Sequence, residues 1–379
     1  MSNELTYWVA LTHTPKMWTS RKNEIVAYCF RQNKTLVDFF ESDNFLQMEL
    51  SQQERDLLMQ TKTEMANYAF LVEEITNQGY GIIPIISSEY SPLLKANLKY
   101  SAPIVLYTKG NKQILQEPSI AIVGSRNANE KSLQFADNVA KKASAECKVI
   151  VSGFAKGVDQ QALVSALTYK GHSIIVLPQG ITTFSGGMKK YYKQIVEGDV
   201  LILSTFHPKM PWSVELAMAR NPIIYGLASD IYAAQSDDKG GTWSGVTDGL
   251  KKGRKVYVRV PEENEKCANM ALISKGACPV DIEGNPIQIP IVQKGEIDQP
   301  QHNIITPSST IEDEIIKLLT KGSFSSKQII DILKLTGYSP QKITNILSKM
   351  DNVYKVKDGR SFKYSLQSSF HNSQLSLSL

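Results

Sequence analysis

The sequence has little of the residues that most often carry metal or nucleophilic chemistry. Its 379 residues hold four cysteines and five histidines. Cys29, Cys147, Cys267 and Cys278 are scattered, with no C-x-x-C pair and no histidine at zinc spacing, so neither a structural metal nor any cofactor is expected. His13, His172, His207, His302 and His371 form no ligand spacing and no triad. Ser152 and Ser204 follow candidate strands, but neither lies in Gly-x-Ser-x-Gly, which argues against nucleophilic catalysis. No apolar run reaches the roughly 18 residues that span a bilayer, and the N-terminus lacks the basic start, apolar stretch and small-residue cleavage site of a secretory signal. The expected compartment is the cytoplasm, with reduced thiols and no membrane partner. Charge of one sign does not dominate either: a net +5 suits a polyanionic partner without requiring one.

What is present is ordinary globular composition, 42% hydrophobic, in a chain longer than one typical domain. Residues 1–80 show helical apolar periodicity (Leu57, Met65, Ala69, Val72, Ile75) with few glycines or prolines, and predict a small helical domain. Gly81 to Ile86 and Ile104 to Tyr107 form a β-rich lead-in. From Ser119 short apolar runs alternate with helical stretches, the pattern of a parallel sheet covered on both faces. The runs Ile120–Val123, Lys148–Val151, Ser173–Leu177, Val200–Leu203, Ile231–Ala234 and Lys255–Val260 predict an α/β, doubly wound core over residues 81–286. Residues 287–307, with Pro290, Pro300 and Pro307, read as a linker. Residues 308–366 read as a winged helix. Ile311, Ile315, Leu318 and Leu319 mark one helix, and the capping box Ser325 to Gln328 opens a second. Ser339-Pro340 opens a third, and two β runs flank Asp358-Gly359. The serine-rich tail, residues 367–379, reads as disordered.

Two bends draw notice. Strand Ile120–Val123 runs into Gly124-Ser125-Arg126 before a helix, where a glycine admits a ligand to the backbone and an arginine can grip phosphate. Strand Val149–Val151 leads to Gly153, Lys156, Gly157 and Asp159, again at the carboxyl end of a parallel strand. Lys156 offers a point charge, while Asp159 has the position of a helix N-cap. Of the tryptophans Trp8, Trp18, Trp212 and Trp243, the last, beside Gly240-Gly241-Thr242, is the best placed to stack on a base. In the winged helix, Lys342, Lys349, Lys355, Lys357 and Arg360 outline a basic face for DNA, although such folds also dock proteins.

The stretches Ala121 to Arg126, Val151 to Asp159, Ala166-Leu167, Gly171 and Ile174 to Leu177 together resemble the signature block of the DprA/Smf family of DNA-processing proteins. Tyr90 to Leu94 and Ala102 to Asn111 are similar to the family's upstream segment. Arg220 to Leu227, Gly240 to Thr242, Gly253 to Val258 and Ile273 to Ala277 are similar to its closing motifs, so the likeness covers roughly residues 80–285 in order. It implies a Rossmann-like core, a small helical, SAM-like N-terminal domain and a C-terminal winged helix. It also implies a homodimer that binds and protects single-stranded DNA and promotes loading of a RecA-type recombinase during DNA uptake and recombination. By matching position, Gly124, Ser125, Arg126, Gly153, Lys156, Arg220, Asn221, Gly241 and Thr242 would line the binding pocket. The sequence departs from the family where Leu163 replaces a histidine, Pro222 a second arginine and Gln235 an acidic residue. Two other readings stand beside a binding protein. One is a nucleotide sensor, for instance in antiphage defence. The other is a hydrolase of N-glycosidic bonds, which needs a carboxylic acid near Gly240-Gly241-Thr242, where the nearest are Asp237, Asp238 and Asp248.

Overall fold

Helical periodicity in the first 80 residues becomes five helices in a computed structural model of the chain, which describes residues 2–42, 47–288, 311–333, 335, 338–348, 350, 353–358 and 361–366. These are α1 (Ser2–His13), α2 (Thr19–Arg31), α3 (Leu36–Glu41), α4 (Gln52–Thr63) and α5 (Met65–Asn77). Capping boxes at Thr35 with Asp38 and at Ser51 with Glu54 set where α3 and α4 begin.

The sheet follows. In chain order the next elements are β1 (Gly81–Pro84), α6 (Pro92–Leu98), β2 (Val105–Lys109), β3 (Ser119–Val123), α7 (Glu130–Ala145), β4 (Val149–Ser152) and α8 (Val158–Thr168). Then come β5 (Ser173–Val176), α9 (Ser185–Lys190), α10 (Tyr192–Glu197), β6 (Val200–Ser204), α11 (Val214–Gly226), β7 (Asp230–Ala233), α12 (Gly241–Lys251), β8 (Lys255–Arg259), α13 (Asn269–Ile273) and β9 (Cys278–Val280). The strands order as β1-β2-β6-β5-β4-β3-β7-β8-β9. From β6 to β9 neighbouring strands run parallel, whereas β1, β2 and β6 pair antiparallel. The six expected parallel strands are all present, and β3 to β6 are buried along their full length, as continuous apolar runs require of strands covered on both faces.

The chain divides into two compact units, residues 1–291 and 292–379. Within the first, α1 to α5 share one continuous apolar cluster with β1, β2 and the parallel strands: Trp8, Leu11, Ile75, Ile83, Tyr107 and Leu203 all belong to it. The second holds α14 (Ile311–Leu319), α15 (Ser326–Ile332), α16 (Pro340–Leu347) and the hairpin β10 (Val353–Asp358) with β11 (Ser361–Leu366). Ile315, Leu319, Ile329, Ile343 and Tyr364 form its core, and Phe324 adds a bridge to Tyr364. This is the winged-helix arrangement. Its expected cap is in place: Ser325 Oγ accepts from the Gln328 N–H at 3.3 Å, and Gln328 Oε1 accepts from the Ser325 N–H at 2.9 Å. Lys349 and Arg360, most of the expected linker, and the tail 367–379 lie outside the described residues.

One polar tether crosses the join between the helices and the sheet. His13, ending α1, shares a hydrogen bond of 2.7 Å between its Nε2 and the hydroxyl of Tyr107 in β2. Burial, with smaller contributions from His207 and Lys22, pulls the His13 pKa from 6.5 down to about 3. The folded state therefore resists a proton that the unfolded chain accepts, and stability is lost as pH falls below about 6.5. A His13→Gln variant keeps a polar group toward Tyr107 and does not titrate. In urea titrations across pH, wild type should lose about 1.4 kcal/mol per pH unit relative to this variant between about 6.5 and the low end of the range. Parallel curves for the two proteins would show that His13 is not buried neutral.

Candidate functional site

β3 and β7 are neighbours in the sheet, but the chain leaves them toward opposite edges: β3 is followed by β4 on one side and β7 by β8 on the other. Such a switch point opens a crevice beyond the carboxyl ends of the strands. Here it is a cavity of about 420 Å³. One wall is Val123 to Asn127 with Ala155 and Asp159; the other is Asp237 with Lys239 to Thr242; α11 closes the back through Val214, Met218, Arg220 and Asn221.

The first bend is stitched to the end of β7. The Ser125 N–H donates to the Gln235 carbonyl at 2.9 Å, and Gln235 Oε1 accepts from the Asn129 N–H and the Ser132 hydroxyl, both at 3.0 Å. Arg126, just beyond, is exposed.

The second bend presses on the first. Gly157 holds φ +79°, and a Cβ there would run into the carbonyl oxygens of Ser125 and Arg126, so the two turns meet backbone to backbone. Beside it Lys156 is exposed, and among the described residues neither Arg126 nor Lys156 forms an ion pair. Phe154 adopts φ +61° and sets its ring edge-on to Phe184 and Tyr191, with centroids 5.1 and 5.7 Å away.

Arg220 is 4% exposed and serves the scaffold first. Its Nη1 donates to the carbonyls of Gly153, at 2.7 Å, and Val176, tying the ends of β4 and β5 to α11. Its buried Nε meets no acceptor among the described residues. Burial lowers the guanidinium pKa, and Asp159 opposes that shift. Asp159 is buried as well, and burial raises its pKa against the pull of Arg220 and of the loop N–H groups. Its carboxylate accepts from the Gly153 N–H at 3.1 Å and the Ala155 N–H at 3.5 Å. The expected N-cap role is corrected: Gly157 occupies the cap of α8, and Asp159, within the first turn, folds back to clasp the preceding loop.

On the far wall, Gly240 caps α12 without a side chain, which leaves the first N–H groups of that helix free for an anion. Asn221 Nδ2 reaches the Gly241 carbonyl at 3.4 Å. The cleft thus gathers Gly124, Ser125, Arg126, Asp159, Arg220, Asn221, Gly240, Gly241 and Thr242 among the residues singled out in the sequence. Gly153, Lys156, Gly157 and Trp243 do not line it. Gly153 lies beneath, and Trp243 packs half-buried against the core with Lys275 5.9 Å from its ring centroid. Of the tryptophans, Trp18 and Trp212 are the exposed ones.

Sequence reasoning missed Lys239 and Tyr225 in the lining, and a buried network behind it. Arg259, 1% exposed, pairs with Glu265 and donates to the Ala234 carbonyl at 3.0 Å and the Ser132 hydroxyl at 2.9 Å. Glu265 also accepts from Asn129 at 2.7 Å. The three departures from the family pattern have structural places: Leu163 is core, Gln235 is the staple described above, and Pro222 sits inside α11. Asp237 lines the cleft, whereas Asp248 pairs with Lys252 at 2.7 Å along α12. In the winged helix, Lys342 and Lys355 lie 4.2 and 4.0 Å from the ring centroids of Tyr338 and Phe362. Lys357 is in β10 opposite Phe362. Among the described residues no helix is long and apolar enough to cross a membrane, and no cluster of three metal-ligating side chains occurs.

A doubly wound sheet whose switch-point cleft presents exposed cations and an uncapped helix start defines a Rossmann-like protein able to hold an anionic ligand. The chain belongs to the DNA recombination-mediator protein A family, whose model matches residues 81–287, more than half of its length. It is 33% identical to the DNA processing protein DprA of Streptococcus pneumoniae over 159 residues, 42% of this chain and 56% of that one. It is 30% identical to DprA of Bacillus subtilis over 182 residues, 48% of this chain and 60% of that one. The matches thus span about three fifths of those relatives. The X-ray structure of S. pneumoniae DprA superposes with a TM-score of 0.61 at 24% identity, over 73% of this chain and 94% of that one, which shows the shared fold.

The position of Gly153 generates a test. A Cβ there would collide with the Arg220 guanidinium, which cannot withdraw without breaking its bonds to Gly153 and Val176. Gly153→Ala should cost about 2 kcal/mol or more, the scale of overpacking combined with an unmade buried hydrogen bond. Chemical denaturation reads this directly, and a neutral result would show that Arg220 is not pinned.

Proposed function

We propose that this chain is a non-enzymatic binder of single-stranded DNA that protects the strand and passes it to a RecA-type recombinase, acting as a homodimer in DNA uptake or recombination. The observation that carries the reading is the backbone contact between the two bends, which brings Arg126 and Lys156 out on adjacent turns beside the cleft. Phosphates meet exposed cations at the rim and N–H groups at the start of α12, and the affinity of such contacts is electrostatic and independent of sequence. The cleft's charges support an anion over a cation. Arg126, Arg220 and Lys239 face Asp159 and Asp237, and with Arg220 and Asp159 offsetting each other, two cations remain against one carboxylate. The recombinase and the second subunit rest on family membership alone.

Two of the carboxylates are committed, Asp159 to loop N–H groups and Asp248 to Lys252, so neither is free to give a proton to a leaving base. Asp237, exposed in the cleft, is the one lining carboxylate among the described residues that a hydrolase could use.

Fluorescence anisotropy with labelled oligothymidine, over a series of salt concentrations, tests the reading. Arg126→Ala and Lys156→Ala should each weaken binding and each flatten the slope of log affinity against log salt by about 0.7, the contribution of one single-strand phosphate contact. Both side chains are exposed, so the melting temperature should stay put. Affinity and slope unchanged in both variants would remove the cleft as the DNA site.

A further inference from the structure

The apolar surface of helix α2 runs beyond its covered face. Ile25 and Cys29 enter the core, and Val26 packs half-buried against it. Val26, Ala27 and the exposed Phe30 carry the apolar surface outward, and with Ile85, Ile86 and Tyr100 they line a second concavity of about 620 Å³. Phe30 is 81% exposed, Tyr100 64% and Ile86 56%, a concentration of large apolar surface that soluble proteins seldom leave without a use. On the other side of Phe30 and Ile86 lies a smaller cavity of about 90 Å³, so the two side chains form a ridge between two hollows.

The groove is built before anything enters it. Asn23, buried at its base, donates to the carbonyls of Tyr100 at 2.9 Å and Ala102 at 2.8 Å, fixing that segment against α2. Lys95 Nζ reaches the Ile85 carbonyl at 3.4 Å on the opposite side. A preformed wall spares an incoming segment part of the ordering cost of binding. The charges are mostly cationic: Arg31, Lys95 and Lys99 line the larger hollow with no carboxylate among the described residues, and Lys34 and Glu4 line the smaller one.

We infer that this groove docks an acidic, amphipathic segment of a partner protein, with bulky apolar side chains in the hollows and carboxylates on Arg31, Lys95 and Lys99. Apolar anchors at helical spacing set into a hydrophobic groove are a recurrent peptide-recognition mode, and the cationic rim selects acidic flanks over basic ones. Nucleic acid is the rival occupant, since single strands stack on presented aromatic faces along a track of cations. Phe30 and Tyr100 are such rings, but Val26, Ala27, Ile85 and Ile86 make the rest of the apolar wall aliphatic and concave, which suits an inserted side chain better than a stacked base.

The test uses the full chain and a fluorescein-labelled amphipathic peptide with leucine and phenylalanine at i, i+3, i+4 and i+7 and aspartate and glutamate elsewhere. Two control peptides replace the acids by lysine or the apolar residues by serine, and labelled oligothymidine is the fourth probe. The acidic peptide alone should bind, and Phe30→Ser should weaken it at least tenfold. The double change Arg31→Glu with Lys99→Glu, which touches only the rim, should do the same while circular dichroism and oligothymidine binding stay as in wild type. Absence of acidic-peptide binding overturns the inference, as does equal binding of the lysine peptide. Loss of oligothymidine binding in Phe30→Ser would instead assign the surface to nucleic acid and overturn it too.

Discussion

A guanidinium taken out of water must find acceptors for its N–H groups, and the cleft is organised around how Arg220 does so. Its Nη1 joins the carbonyl ends of β4 and β5, which forces glycine at position 153 and draws Asp159 into the interior to balance the charge. Asp159 in turn gathers the N–H groups of the loop that carries Lys156. A buried pair of opposite charges adds little net stability, yet removing one partner is costly, so the device fixes geometry more than it raises stability. Pro222, two residues on, cannot donate a helical N–H, and the Met218 carbonyl at the back of the cleft loses that partner.

The opposite wall repeats the logic with different residues. Arg259 emerges from β8 into a closed set of partners, Glu265, Ser132 and the Ala234 carbonyl, while Asn269 holds the Arg259 and Ala234 carbonyls at 2.8 and 3.0 Å. Gln235 then carries the arrangement to the first bend. Rigid scaffold below and exposed cations above is the division expected where loops bind and strands position them.

Much of this was legible in the residues. Apolar runs marked β3 to β8, and the capping box at Ser325 placed α15, because burial on both faces and cap chemistry leave direct marks on sequence. The same kind of signal, Ser91-Pro92, opens α6, but a helix of seven residues is too short to show periodicity. β9 hid behind Pro279, which an edge strand tolerates. At the site, glycine bends could be read, but the direction of a side chain could not. Arg126 and Arg220 look alike in sequence, yet one is exposed and the other belongs to the interior. Arg259 and Glu265 gave no signal, since nothing in their spacing distinguishes a buried pair from a surface one. Trp243, singled out for stacking from its glycine neighbours, is turned by α12 half-buried against the core.

The shared core of the helices and the sheet has a consequence for how this chain can be divided. The segment that matches the family model begins at residue 81, in the first strand, but Ile83 and Tyr107 pack in one cluster with Trp8, Leu11 and Ile75. A fragment started there would bare that apolar surface. The first 80 residues are therefore less an appended module than the lid of the hydrophobic interior, and swapping them between relatives would mean recutting the surface beneath.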